Sequence, residues 1–163
     1  MPPPMFIDDS DEHPESWLRM WDANRVGRDL ARTALAEGRD VIVDNIKYQA
    51  EWVEPWEKVG RELGAEVLDI CILAPKHVVE ERARLRGYRP GGRLTPEKVA
   101  MLYNKVILFY RDRPEALFLD SVDLSPKVMA DEVMNYETED VAPVFEEGGN
   151  LYNSLLQEVI SGQ

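Results

Sequence analysis

Two apolar runs rich in β-branched residues do most to limit what this 163-residue chain can fold into. Residues 41–43 (Val-Ile-Val) stop at Asp44, and residues 66–73 are nearly all apolar and stop before Pro75. β-Branched residues favour strands, and a strand that is covered on both faces is apolar along its whole length. We therefore expect two buried strands, the first of which ends in a carboxylate.

Helical patterns precede, separate and follow these runs. Apolar residues recur at helical spacing from Pro14 until Gly38, and again across residues 50–63. Prolines suited to a first helical turn open two further helices at Pro96 and Pro126. The other expected elements are a helix over residues 77–86, a short strand over 116–121, an irregular stretch over 137–150 and a last helix over 151–160.

The alternation of strands and helices predicts an α/β fold with three layers, in which a mostly parallel sheet carries helices on both faces. Ligands of such sheets collect outside the C-terminal ends of the strands, where Asp44 would project. A plainer role also fits the local pattern, in which Asp44 begins a turn and caps the next helix. We expect an α/β domain over residues 1–136 and an acidic C-terminal tail with a short helix over 137–163.

The composition argues against several classes of protein. No apolar run approaches the roughly 18 residues of a membrane span, and the first residues lack the pattern of a secretion signal. We therefore expect a cytoplasmic protein that does not enter a membrane. The single cysteine, Cys71, excludes an internal disulfide, and with only two histidines a zinc site would lack ligands.

The charge is distributed unevenly along the chain. The net charge of −12 argues against nonspecific affinity for duplex DNA. Residues 76–113 contain ten basic and four acidic residues, a net charge of +6, so the remainder of the chain carries −18. One segment is therefore suited to anionic ligands, while the rest of the chain repels them.

The order of these elements resembles a known family over residues 34–105. A Val-Ile-Val-Asp-Asn strand, a helix with tryptophans, a strand ending in Ala74-Pro75 and a helix with spaced arginines are similar to the second half of P-loop kinases of the polynucleotide kinase and small AAA-like ATPase group. The resemblance implies that Asp44 ends the Walker B strand and holds magnesium. It also implies that Arg82 and Arg86 belong to a lid, residues 76–110, that closes over the phosphates of ATP.

The spacing of the arginines supports a shared phosphate ligand. Arg82 and Arg86 stand four residues apart and would share one helical face, whereas Arg84 would point elsewhere. Arg89 and Arg93 lie on a glycine-rich loop of the kind that opens and closes. The alternative is that these arginines pair with nearby acidic residues on a solvated surface.

The N-terminal stretch Met-Phe-Ile-Asp-Asp resembles the short strand ahead of the substrate site in polynucleotide kinases. The resemblance implies that Asp8 or Asp9 accepts the proton of the attacking hydroxyl group. Alternatively, these carboxylates only favour the N-terminus of the following helix through its dipole.

The resemblance has one large gap. P-loop kinases hold the phosphates with the loop Gly-x-x-x-x-Gly-Lys-Ser/Thr, and this sequence contains no such loop. Three explanations remain open: a truncated kinase, a loop supplied by a partner, or a scaffold that has lost catalysis. Loss of the central strand would expose a sheet edge, so we expect self-association, or coverage by the N-terminal segment and the tail after Glu137.

We therefore expect a degenerate kinase-like protein that acts as a binding or regulatory protein with weak or no phosphotransfer, such as a phage protein aimed at a host factor. Its tryptophans, at positions 17, 21, 52 and 56, fit a core better than an interface. The alternative is an active kinase that uses ATP and Mg²⁺ on a polynucleotide 5′-hydroxyl or a nucleoside. A third class, a metal-dependent hydrolase, has suitable carboxylates but no recognisable spacing; they are Asp8, Asp9, Asp11 and Asp44.

Overall fold

The computed structural model describes residues 14–44, 48–88, 94–137 and 140–162. Within these residues the chain forms six helices and one two-stranded sheet. It divides into two compact units. The first contains residues 14–44 and 50–67, and the second contains residues 48–49 and the described residues from 68 onward.

The first unit is a pair of helices, α1 (Pro14–Ala36) and α2 (Ala50–Glu62). Ala31 of α1 is buried, as are Val53 and Val59 of α2. The rings of Trp21 and Trp52 meet edge to face with their centres 5.1 Å apart. Trp56 donates a hydrogen bond from Nε1 to Asn24 Oδ1 at 3.2 Å. The side chains of these three tryptophans are partly buried, and the two helices pack against each other through them.

The strand that the sequence predicts at residues 41–44 is absent, and this prediction is wrong. Gly38 ends α1 with a φ of 76°, and residues 39–44 have no regular secondary structure. Ile42 is 86% exposed. β-Branched residues form a strand only where a neighbouring strand pairs with them, and no described segment pairs with these residues.

The second unit is built around two short parallel strands. Its elements in chain order are β1 (Ile70–Leu73), α3 (Lys76–Arg86), α4 (Pro96–Tyr110), β2 (Leu117–Asp120), α5 (Pro126–Met134) and α6 (Pro143–Ile160). Ile70 pairs with Leu117 and Leu73 with Asp120, so both strands end at the same level. Helices α3 and α4 form the crossover that a parallel pair requires.

Local signals in the sequence account for where several helices begin. Thr95 and Ser125 precede proline at the first helical position, and each hydroxyl accepts a hydrogen bond from a backbone N–H three residues later. This is the N-cap geometry that the sequence predicts for α4 and α5.

The apolar core of the second unit lies on both faces of the strand pair. Phe118 belongs to a cluster with residues of α4 and α6, and Leu119 belongs to a cluster with α5 and the start of α6. The first cluster contains Cys71, Leu73, Ile107, Tyr110, Ala116, Phe118, Tyr152 and Leu155, and the second contains Leu119, Met129 and Phe145. Helix α6 contributes to both clusters, so it is part of the core.

The predicted three-layer fold with a mostly parallel sheet is wrong, because the described chain is mostly helical and its sheet has two strands. Helix α6 occupies residues 143–160, whereas the sequence predicted an irregular stretch as far as residue 150. The pair Gly148-Gly149 suggested a loop, yet both glycines lie within α6. In the part of the chain that the structure describes, no helix is long and apolar enough to span a membrane.

Candidate functional site

Ser121 joins the C-terminal ends of the two strands. Its backbone N–H and its hydroxyl each donate a hydrogen bond to the carbonyl oxygen of Leu73 at 2.8 Å. Asp120, the last residue of β2, accepts a hydrogen bond at Oδ1 from the backbone N–H of Val122 at 2.8 Å. This side-chain contact turns the chain away from the sheet. The carboxylate that the structure places at the end of a strand is therefore that of Asp120, whereas the sequence predicted Asp44.

Arg82 of α3 extends to this same end of the strand pair. Its Nη1 donates to Ser121 Oγ at 2.8 Å, and its Nη2 donates to the Ser121 carbonyl oxygen at 3.0 Å. The residue is exposed, and a guanidinium group has five N–H donors in all. Ser121 therefore fixes the position of the guanidinium group and leaves donors for another partner.

The other two arginines of α3 differ from each other. Arg84 forms an ion pair with Glu81 at 2.6 Å. This hydrogen-bonded contact lowers the pKa of Glu81 and raises the pKa of Arg84. Arg86 is exposed and has no hydrogen bond or ion pair with any residue in the described ranges. The sequence left open that these arginines pair with nearby acidic residues on a solvated surface, and the structure shows such a pair at Arg84.

Tyr103 places α4 beside the end of β1. Its hydroxyl donates to the carbonyl oxygen of Ala74, the residue that follows the strand, at 3.2 Å. Burial, with a smaller contribution from Glu158, raises the pKa of Tyr103 to about 12. Elements α3 and α4 and the turn after β2 therefore meet at the C-terminal end of the strand pair.

The predicted site residues fall into three groups. Arg82 and Arg86 lie on α3 in the second unit, and Asp44 is an exposed residue without regular secondary structure in the first unit. Four predicted site residues lie outside the described residues; they are Asp8, Asp9, Arg89 and Arg93. Within the described ranges, no three His, Cys, Asp or Glu side chains cluster so that they could hold a metal ion. The assignment of magnesium to Asp44 stays a prediction.

A buried charged contact at the other end of β1 was not predicted from the sequence. Asp69 accepts hydrogen bonds from the Tyr110 hydroxyl at 3.0 Å and from Arg113 Nε at 2.8 Å. The side chains of Asp69 and Arg113 are 5% and 13% exposed. Burial raises the pKa of Tyr110. The signal in the sequence is the single aspartate within the apolar run of residues 66–73.

These contacts define a class of site, in which an arginine from the crossover of a parallel strand pair is anchored where both strands end. No family model, no curated protein and no solved structure matches this chain. The similarity to P-loop kinases therefore depends on the sequence motifs alone.

Proposed function

We propose that the chain is a binding protein that recognises a phosphate-bearing ligand with Arg82 and Arg86, and that it has weak or no phosphotransfer activity. The proposal keeps the ligand class that the sequence motifs imply. It does not require a three-layer sheet, because the contacts that support it involve α3 and the ends of two strands.

The observation that carries the proposal is the pair of hydrogen bonds from Arg82 to Ser121. They hold an exposed guanidinium group at the end of a parallel strand pair, which is the common position of ligand sites in α/β proteins. A side chain that is already ordered loses less conformational entropy when a ligand binds. Arg82 is therefore preorganised to donate to a phosphate oxygen.

Arg86 supplies a second positive charge. It lies one helical turn after Arg82, so both arginines share a face of α3, and it is exposed. Guanidinium groups match the geometry of phosphate oxygens, and hydrogen bonds between charged partners are stronger than neutral ones. Arg84 differs because Glu81 already pairs with it.

The expectation of weak or no phosphotransfer comes from the sequence. P-loop enzymes bind the triphosphate with backbone N–H groups and a lysine of a glycine-rich loop. No stretch of the 163 residues has that pattern. A protein that keeps the arginines without this loop retains part of the phosphate contacts and not the groups that position the transferred phosphate.

Isothermal titration calorimetry with pyrophosphate, and with ATP in the presence and absence of Mg²⁺, tests the proposal. We expect measurable binding that Arg82→Ala and Arg86→Ala each weaken by about tenfold or more, as for the loss of a charged hydrogen bond. The matched control Arg84→Ala is expected to stay within about twofold, because Arg84 is an exposed ion-pair partner. Absence of binding at millimolar concentration, or equal losses in all three variants, would contradict the proposal.

An activity assay separates the two functions that the sequence leaves open. The wild-type chain is mixed with γ-labelled ATP, Mg²⁺ and an oligonucleotide with a 5′-hydroxyl group. We expect no transfer of label above a control without protein. Transfer that is lost in Arg82→Ala would instead favour the active kinase.

A further inference from the structure

One edge of the sheet, along β1, has no partner strand in the part of the chain that the structure describes. The carbonyl oxygens of Asp69 and Leu73 accept hydrogen bonds from N–H groups of β2 and of the turn after it. Since the backbone groups of successive strand residues point to opposite sides, those of Ile70 and Ile72 point away from β2. Among the described residues, nothing forms a hydrogen bond with these outward-pointing N–H and C=O groups.

This edge is also unprotected by its side chains. Ile72 is 61% exposed, although it belongs to an apolar strand. Natural proteins protect an open edge with lysine, proline or a β-bulge. Ile70 and Ile72 are neither lysine nor proline, and the pairing of residues 70–73 with β2 runs without a bulge. The edge of β1 therefore has the properties of one that accepts a further strand.

We propose that two copies of the chain pair through β1, with the two strands antiparallel about a two-fold axis. Ile70 of each copy exchanges backbone hydrogen bonds with Ile72 of the other, so the four outward-pointing backbone groups of each copy gain partners. The sheet grows from two strands to four, a more usual and more stable size. An interface that uses the same surface on both copies closes into a dimer.

The charges that flank β1 are complementary in this arrangement. Glu66 lies four residues before Ile70, and Lys76 lies four residues after Ile72. The register that pairs Ile70 with Ile72 therefore brings Glu66 of one copy opposite Lys76 of the other, and the two-fold axis repeats this pair. A parallel arrangement of the same two strands in register would place like charges beside each other. Opposite charges across paired strands stabilise the pairing and fix its orientation, which favours an antiparallel second copy as the partner.

Sedimentation equilibrium of the wild type and of Ile72→Lys tests the proposal. We expect the wild type to dimerise at micromolar concentration and Ile72→Lys to dimerise at least about tenfold more weakly, because the new charges meet in the added strand pair. The matched control Leu85→Lys changes an exposed apolar residue of α3 and should dimerise like the wild type. A wild type that is monomeric at millimolar concentration, or a dimer that Ile72→Lys does not weaken, would overturn the proposal.

Exchanging the flanking charges tests the register. Glu66→Lys and Lys76→Glu each place like charges opposite each other twice in the dimer, so each should weaken dimerisation by about threefold to tenfold. The double variant Glu66→Lys, Lys76→Glu restores opposite charges and should dimerise like the wild type. A double variant that is as weak as the single variants would overturn the proposed pairing. Circular dichroism shows whether each variant is folded.

Amide hydrogen exchange, followed residue by residue with NMR, locates the interface on the strand edge. The N–H group of Ile70 should exchange slowly in the wild-type dimer and rapidly in the Ile72→Lys monomer, and its protection in the wild type should fall on dilution. The N–H group of Cys71 points toward β2 and should stay protected in both proteins. Protection of Ile70 that does not depend on concentration would show that a segment of the same chain covers the edge, and it would overturn the dimer.

The pairing of β1 does not depend on the proposed phosphate contact. Arg82→Ala should form the dimer as the wild type does, and Ile72→Lys should bind pyrophosphate with wild-type affinity. Failure of the dimer therefore leaves the phosphate site standing, and failure of the phosphate site leaves the dimer standing.

Discussion

Gly148 of α6 lies against the backbone of Phe118 in β2, and a Cβ atom at this glycine would overlap the carbonyl group of Phe118. The N–H groups of Leu117 and Ser121 point toward β1, where they donate to Asp69 and Leu73. Since the backbone N–H and C=O groups of successive strand residues point to opposite sides, the carbonyl group of Phe118 points away from β1. Helix α6 therefore covers the outer edge of β2, where a further strand would otherwise pair.

This contact predicts opposite effects for two neighbouring glycines. Gly148→Ala should lower the free energy of unfolding by at least about 2 kcal/mol, because the atoms that it meets are backbone and cannot move aside. A Cβ atom at Gly149 would have no atom within 4 Å. Because alanine also favours a helix more than glycine does, Gly149→Ala should raise the free energy of unfolding by about 0.5–1 kcal/mol. Urea unfolding measures both. Equal effects of the two substitutions would rule out the close packing of α6 on β2.

The buried ion pair predicts a large difference between two arginines that are two residues apart. Arg113→Ala leaves the carboxylate of Asp69 buried without its charged partner and should cost about 3–5 kcal/mol of unfolding free energy. Arg111→Ala should change it by less than about 0.5 kcal/mol, because Arg111 and its neighbour Asp112 are both exposed. Chemical unfolding of the two variants side by side tests this. A small effect at Arg113 would show that Asp69 does not need the pair.

Buried tyrosines predict a loss of stability at alkaline pH. Burial raises the pKa values of Tyr103 and Tyr152 from 10.0 to about 12. Since the folded state holds these protons more tightly than the unfolded state, their contribution is complete below pH 10 and is lost as the pH rises toward 12. The free energy of unfolding should therefore fall over this interval. Ultraviolet difference absorbance should show that tyrosinate forms at a lower pH in the urea-unfolded protein than in the native protein.

The double variant Tyr103→Phe, Tyr152→Phe serves as the control for this pH dependence. It removes both ionisable groups, so its free energy of unfolding should fall less steeply between pH 10 and pH 12. It should also be less stable than the wild type at neutral pH, because the hydroxyl of Tyr152 donates to the Ile107 carbonyl oxygen at 2.7 Å. An identical pH slope in the two proteins would contradict the assignment to these residues.

Ser121 offers a test of whether anchoring matters for Arg82. Ser121→Ala removes the hydroxyl that Arg82 Nη1 contacts, so we expect weaker pyrophosphate binding, by a smaller factor than in Arg82→Ala. Ser125→Ala is the matched control. It removes the N-cap of α5 and should cost about 1 kcal/mol of stability without changing the affinity. Calorimetry and urea unfolding of both serine variants separate lost stability from lost positioning.

Much of the helical structure could be predicted from the sequence because its signals are local. Proline at the first helical position with a preceding hydroxyl residue marks the starts of α4 and α5. Gly38, Gly64 and Gly87 lie just beyond three other helices with positive φ values, as helix-ending glycines often do. Such signals act within a few residues, so no tertiary contact is needed to interpret them.

The arginine site was predicted in part. The four-residue spacing of Arg82 and Arg86 on one helix could be recognised directly from the sequence. The partner of Arg82, Ser121, is 39 residues away and carries no motif of its own.

The sequence by itself determined where α4 and α5 begin and where α1, α2 and α3 end, which apolar runs could become strands, and which segment carries positive charge. The tertiary structure decided which runs pair: residues 70–73 and 117–120 form the sheet, whereas residues 41–44 have no partner in the described chain. It also placed Gly148 of α6 against the edge of β2. The physical reason is that helix hydrogen bonds close within four residues, whereas strand pairing and close packing depend on segments far apart in the chain.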